Sequence, residues 1–227
     1  MATTQRAIGL YGGSFDPIHV GHIAPVRAAR EALGLERVLY LPTGRPPHKP
    51  DQRFAPAARR FAMVELALLD EPGLEAMDWE LRDDRPSYTA DTLARAQQLF
   101  PDAALHLLIG ADSACQLHRW RRWQEIPRRA TVVVLARPGW QLDDDAAMPI
   151  DLRTLLALDD DRPPLPAGWR PARRVTNPEI DVASSTLRRD LAAGRTPDAN
   201  RLPRAVLYYI DKYQLYRSNN RGEHHSP

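Results

Sequence analysis

The chain is poor in cysteine, with one residue, Cys115, in 227. A single thiol excludes a disulfide framework within the chain and a four-thiolate zinc site. It makes a reducing compartment, the cytoplasm, the expected location. Long hydrophobic runs are also missing. No stretch approaches the roughly 20 apolar residues of a membrane span. The start, MATTQRAIGLYGG, is too short in apolar residues for a signal peptide. No membrane partner is expected. Nor is there an excess of one charge: 31 basic residues face 29 acidic ones, for a net +2. That balance argues against nucleic acid as a partner, whereas a small phosphorylated ligand needs only a local basic cluster. There is no internal repeat.

Proline is abundant, at 21 residues, and its concentration in loops implies stiff connections. The hydrophobic share, 43%, is that of an ordinary globular protein. The length suits one large domain with a sizeable core. AIGLY (7–11), RVLYLP (37–42), LEAMDWEL (74–81), LHLLIG (105–110) and TVVVLA (131–136) read as strands, mostly apolar throughout. Between them, 20–34, 56–70 and 89–100 have helical spacing, with Ile23, Val26, Ala29 and Leu33 on one face of the first and Phe61, Val64 and Leu68 on one face of the second. A Trp-bearing helical segment precedes TVVVLA. Residues 141–171 are rich in Asp and Pro and read as an inserted loop with a short helix around LRTLLAL. Helices follow at 184–194 and 203–216, and the tail 218–227 reads as disordered. The expectation is one domain over 1–217. It is an α/β fold, a Rossmann-like doubly wound parallel sheet with a small C-terminal helical extension. Ligands bind at the carboxyl ends of such strands.

GGSFDPIHVGH (12–22) lies at such an end. Gly12 and Gly13 let the backbone turn tightly and let a ligand approach bare N–H groups. A helix then starts near His19, and its N-terminus favours an anion. His19 and His22, three apart, fall on one side of the first turn and can each donate to phosphate oxygen. Metal ligation is the alternative, but zinc would need a third or fourth ligand, for which His48 is a candidate with no compelling spacing. The tail pair His224 and His225 reads as solvated. Asp16 is open between ligating a metal and bracing the Gly-Gly turn.

These residues resemble G-x-F-D-P-x-H-x-G-H, the signature of nucleotidyltransferases related to class I tRNA synthetases, and the match is complete. The resemblance implies that His19 and His22 hold a nucleotide triphosphate, with Gly12, Gly13, Ser14 and Phe15 around it. It also implies attack by a substrate phosphate on the α-phosphorus of ATP or CTP. IDVASSTLRRDL (180–191) resembles the second motif of these enzymes, I-S-S-T-x-I-R. The ungapped register aligns Ser184, Ser185 and Arg188 with it, and Ala183 replaces the first serine. A shifted register would use Thr186 and Arg189. The first puts Leu187 and Leu191 on one apolar face with Arg188 off it. Hydroxyls and N–H groups at a helix start, with a guanidinium one turn in, grip phosphate.

Three further stretches are PPHK (46–49), SYTADTL (87–93), in which Thr89 is the expected N-cap and Asp91 sits in the first turn, and GADSACQLHRWRRW (110–123). Each has an ordinary structural explanation. Together they resemble the bacterial nicotinate-nucleotide adenylyltransferases, over residues 7 to about 215. That resemblance implies that Trp120 stacks on a pyridine ring and that Thr89, with N–H groups near Trp120 and Arg121, holds a nicotinate carboxylate. His48, Lys49, Ser87, Tyr88 and Arg137 join the mononucleotide side. Gly110 and Asp112 join the ATP side. His19, His22 and Arg188 would be the catalytic set, with ATP and nicotinate mononucleotide as substrates, Mg²⁺ carried by ATP and no metal site of the protein's own. A homo-oligomer is allowed but not implied.

Rivals are a phosphopantetheine adenylyltransferase or cytidylyltransferase of the same fold, and a non-catalytic nucleotide sensor. The HVGH run also resembles the HIGH signature of aminoacylating enzymes, but no anticodon-binding domain or KMSKS-like run accompanies it.

Overall fold

The computed structural model describes residues 6–44, 54–81, 86–137, 139, 148–156 and 164–217. Six parallel strands form one sheet: β1 (Ala7–Gly13), β2 (Arg37–Pro42), β3 (Leu74–Ala76), β4 (Ala104–Gly110), β5 (Thr131–Leu135) and β6 (Arg173–Val175). Their order is β3-β2-β1-β4-β5-β6. Leu10 of β1 sits opposite Leu39 on one side and Leu107 on the other. The helices are α1 (Val20–Leu33), α2 (Ala57–Leu68), α3 (Thr89–Leu99), α4 (Ala111–Cys115), α5 (Ile126–Arg129), α6 (Ile150–Leu156), α7 (Ser184–Ala192) and α8 (Arg204–Lys212).

Successive strand residues point to opposite faces, so apolar runs feed two cores at once. Ile8, Leu10, Leu39, Leu41, Leu107, Val132 and Val134 face one core with Leu93 of α3, Ile126 of α5 and Leu152 and Leu155 of α6. Val38, Tyr40, Leu108, Val133 and Leu135 face the other, under α1, α2, α7 and α8. Leu187 and Leu191 of α7 are buried there as their spacing requires. Burying one such leucine is worth roughly 1.5–3 kcal/mol, which holds the start of α7 over the end of β1.

Several elements depart from expectation. The third strand is three residues long rather than eight, because after Ala76 only the Met77 N–H still reaches β2, bonding Tyr40 O at 2.8 Å. Strand β6 was not anticipated. It is a short edge strand with exposed Arg173 and Arg174, a charged pattern that reads as loop. The Asp/Pro-rich stretch contributes to the core, with Leu152 and Leu155 fully buried from α6. The Trp-bearing segment is not one helix. It breaks into α4 and two 3-10 turns, with Arg122 between them at φ 57°.

In α2 the buried face is Met63, Val64, Ala67 and Leu68, joined by Arg60, while Phe61 is only half-buried. Thr89 is not the N-cap of α3. Tyr88 holds that position in extended backbone, and its carbonyl receives the N–H groups of Asp91 and Thr92. The last helix stops at Lys212, and a turn with Gln214 and Tyr216 at positive φ follows. The tail 218–227 lies outside the described residues.

Candidate active site

The strand order reverses direction at β1 and β4, where a crevice opens at the carboxyl ends of the strands. A cavity of about 540 Å³ lies there. Its walls come from the β1–α1 loop, the start of α3, the β4–α4 turn, the end of β5 and the start of α7.

The β1–α1 loop is tightly determined. A Cβ on Gly13 would sit 2.9 Å from the Phe15 ring. Phe15 is buried at φ 47°, a left-handed conformation costly for a bulky residue. Its ring meets the His22 imidazole edge-on, with centroids 5.2 Å apart. The Tyr40 hydroxyl donates to the His22 carbonyl at 2.9 Å. The His19 and His22 rings lie close, centroids 3.8 Å apart, with their planes tilted by 31°. A Cβ on Gly21 would press the His19 ring at 3.1 Å, so glycine keeps that ring in place.

The His19 N–H donates to His22 Nδ1 at 3.3 Å. That acceptor role puts the His22 proton on Nε2. Burial, then the positive charges of Arg137 and Arg201, pull the His19 pKa down to about 3. Burial, then His19 and Arg137, lower His22 well below its ordinary value. Both rings are therefore neutral at pH 7 in the unliganded protein.

Helix α7 closes the loop from the far end of the chain. The Ser184 hydroxyl donates to the Pro17 carbonyl at 3.0 Å. Ser184 thereby ties the two motifs together while also lining the cavity. Arg188 Nη1 donates to the Asp16 carbonyl at 2.6 Å and faces Asp16 Oδ2 at 3.6 Å. Arg188 lines the cavity; Arg189 is exposed and does not. At the start of α1 the Val20 N–H is taken by the Arg201 carbonyl. Asp16 is fully buried and is not among the cavity-lining residues. Its Oδ1 accepts from the Ala55 N–H at 3.0 Å and the Tyr216 hydroxyl at 2.7 Å, so it braces the turn.

The opposite wall carries Ser87, Tyr88, Thr89, Trp120 and Arg121. The Arg121 guanidinium lies 4.7 Å from the centre of the Tyr88 ring, a cation–π contact joining two segments of this wall. The Trp120 N–H is bonded to Leu117 O at 3.0 Å, which leaves the Arg121 N–H as the main-chain donor of that pair. At the lip, Arg137 Nη1 pairs with Asp112 Oδ2 at 2.7 Å, while Asp112 Oδ1 is buried without a partner.

The cavity thus gathers Gly12, Gly13, Ser14, Phe15, His19 and His22 with Gly110, Asp112, Ser184, Ser185 and Arg188, and with the residues of the opposite wall just named. His48 and Lys49 lie outside the described residues. Sequence reasoning missed Glu80, which lines the cavity and accepts from the Thr92 hydroxyl at 2.7 Å. Burial raises its pKa against the hydrogen bonds of Thr92, Ser87 and Thr43. The available signal was weak, because Glu80 is one of three acids in the run LEAMDWEL, with Glu75 and Asp78. Among the described residues no three His, Cys, Asp or Glu side chains gather where a metal ion could sit. Among those residues, too, no helix is long and apolar enough to cross a membrane.

Comparison with known proteins agrees with this architecture. The cytidylyltransferase-like family model matches residues 10–190. A protein of Aeromonas salmonicida named "Probable nicotinate-nucleotide adenylyltransferase" is 40% identical over 218 residues, covering 95% of this chain and 99% of its own. One of the same name from Thermus thermophilus is 39% identical over 92% of this chain and 99% of its own. Among solved structures, the Plasmodium falciparum nicotinic acid mononucleotide adenylyltransferase complexed with NaAD superposes with a TM-score of 0.71. That match covers 93% of this chain and 97% of that one at 17% identity, a likeness of fold. The chain belongs to the cytidylyltransferase-like family and, within it, to the nicotinate-nucleotide adenylyltransferases.

Proposed function

We propose that the protein transfers the adenylyl group of ATP to nicotinate mononucleotide, giving nicotinate adenine dinucleotide and pyrophosphate, as a cytoplasmic step of NAD biosynthesis. The observation that carries this reading is the contact between Arg188 and the Asp16 carbonyl. It joins residues 172 apart in sequence, and residues of both motifs line one cavity, which supports a shared phosphate role for them.

The 5′-phosphate of the mononucleotide is already an anionic nucleophile, so no general base is needed. Its oxygen bonds to the α-phosphorus of ATP, the bond to the bridging oxygen breaks, and pyrophosphate leaves with that electron pair. Catalysis then consists of positioning two polyanions and stabilising charge on the leaving group. His22 Nε2–H, His19, Ser185, the start of α7 and Arg188 serve the β- and γ-phosphates. Mg²⁺ arrives on ATP as part of the substrate and takes most of its ligands from phosphate and water.

On the other wall Trp120 offers a face to the pyridine ring, and Thr89 with the Arg121 N–H offers donors to its carboxylate. Donors without a matching acceptor favour nicotinate over nicotinamide. Asp112 Oδ1 offers an acceptor to a ribose hydroxyl on the ATP side. Glu80 holds Thr92 and so fixes the start of α3.

The test is pyrophosphate release from ATP and Mg²⁺ with nicotinate mononucleotide, nicotinamide mononucleotide and phosphopantetheine offered in parallel. Strong release with the nicotinate substrate is expected. Release with phosphopantetheine alone would retain the phosphate end and overturn the pyridine end.

A further inference from the structure

Beneath the phosphate site lies a group the reaction does not use. Asp16 is fully buried outside the cavity wall, yet its two carboxylate oxygens face different elements. Oδ1 takes the Tyr216 hydroxyl at 2.7 Å and the Ala55 N–H at 3.0 Å. Oδ2 has no hydrogen-bond partner and faces Arg188 Nη1 at 3.6 Å. The same Nη1 is held by the Asp16 main-chain carbonyl at 2.6 Å. Arg188 therefore takes its orientation from Asp16, and the Asp16 carboxylate takes its own from a tyrosine 200 residues later.

The chain distorts itself to deliver that tyrosine. After α8, Gln214 lies at φ 52° and Tyr216 at φ 64°, both in the left-handed region that side-chain-bearing residues avoid. The Leu215 N–H bonds back to Ile210 O at 3.0 Å and the Gln214 amide to Asp211 O at 2.6 Å, which closes the turn. Strain kept at two residues of one turn is a reason to look for a role. Here the turn sends the phenol inward to a buried carboxylate. Tyr213, one helical turn earlier, stays on the surface against Arg59, 3.7 Å from its ring centre.

We infer that Tyr216 is a positioning residue of the phosphate site, whose hydroxyl locks the Asp16 carboxylate so that Arg188 presents its guanidinium to the cavity. The inference rests on the phosphate role proposed above for Arg188. Without the hydroxyl, the Ala55 N–H alone holds the Asp16 carboxylate, which can then turn toward Arg188 and draw the guanidinium off the cavity. Burial and the charge of Asp16 both raise the Tyr216 pKa, so the phenol remains a donor.

The test is calorimetric titration with inorganic tripolyphosphate, which needs no pyridine nucleotide and is therefore independent of the proposed substrate. Tyr216→Phe is expected to weaken binding about tenfold, the scale of a hydrogen bond to a charged group. Tyr213→Phe is expected to leave it unchanged. A merely structural role would lower the number of competent sites and leave the dissociation constant of the remainder intact. In an Arg188→Ala background, Tyr216→Phe should add nothing, because Tyr216 acts through Arg188.

Wild-type affinity in Tyr216→Phe, or full additivity with Arg188→Ala, overturns the inference. If the Phe variant does not fold, Asp16→Asn carries the test. It puts an amide opposite Arg188 and should weaken tripolyphosphate similarly; wild-type affinity there also overturns the inference. A parent chain that does not bind tripolyphosphate removes the site and the inference with it. Failure to release pyrophosphate with nicotinate mononucleotide, with tripolyphosphate still bound, would sink only the substrate assignment.

Discussion

The two ends of the cavity are built differently. At the end proposed for phosphate, Asp16 and His19 are buried, Arg188 is bonded to a main-chain carbonyl, and Ser184 pins α7 to the β1–α1 loop. At the end proposed for the pyridine ring, Arg121 rests on Tyr88, and Arg122, off the cavity wall, pairs with Asp91 and Glu125 through partly exposed side chains. The first arrangement is bonded to main-chain carbonyls and the second rests on side-chain contacts. Charge develops on the leaving pyrophosphate, where preorganised donors act without reorganising. The pyridine ring must enter and the dinucleotide must leave, which suits a wall of adjustable contacts.

The contrast is broken most directly at His22. His22→Ala should lower kcat on the order of 10²-fold or more, because the Nε2–H serves charge that forms in the transition state. The KM for nicotinate mononucleotide should stay near the parent value. Circular dichroism must show the fold retained, since His22 also packs against Phe15. Parental turnover in a folded variant would return His22 to a structural role.

Thr89→Val probes the other end and should act in the opposite coordinate. Losing one donor to a carboxylate should raise the KM for nicotinate mononucleotide about tenfold with kcat little changed. Discrimination against nicotinamide mononucleotide should shrink. A kcat effect as large as that of His22→Ala would erase the distinction between the two ends.

The same contrast governs what the sequence disclosed. The meeting of the two motifs on one cavity was legible because the first is dense and local, with Gly13, His19, Gly21 and His22 within ten residues, and α7 announces itself through Leu187 and Leu191. What pins it was not legible. Asp16 could brace or ligate on sequence grounds, and nothing near Tyr216 hints at a partner 200 residues away. Tertiary packing decides such pairs, and spacing does not encode it. Glu80 was hidden by its position in a run that reads as strand. Strand β6 was hidden by its arginines, because an edge strand need not be apolar. Thr89 looked like a cap by residue type, but Tyr88, held under Arg121, takes that position.

Burial of the histidines has a cost that pH exposes. In the unliganded fold His19 is neutral down to about pH 3, whereas its ordinary value is 6.5. Below pH 6.5 the unfolded chain therefore binds protons that the native state does not. Stability should be full above that pH and should decline as pH falls from 6.5 toward 3. Urea midpoints measured from pH 7 to pH 4 should show the decline, and His19→Asn should make it shallower. Some slope should remain from His22 and His106, both lowered by burial. A parental slope unchanged by His19→Asn would mean the ring is not held neutral.

The smallest effect is expected at Arg122, and it bears on the contrast from the exposed side. Arg122 bonds Asp91 at 2.6 Å and Glu125 at 2.7 Å, distances that on paper rival anything at the phosphate end. Its side chain is 41% exposed, and ion pairs in water contribute little once ordering two long side chains and salt screening are counted. Its backbone, at φ 57°, favours glycine over any residue with a Cβ. Arg122→Gly should therefore leave the thermal midpoint unchanged or slightly raised, with the KM for nicotinate mononucleotide unaltered. A clear drop in the midpoint, or weaker binding of the mononucleotide, would show that ion pairs hold the pyridine wall as firmly as main-chain carbonyls hold Arg188. Distance alone would then predict rigidity at both ends, and burial would not be what separates them.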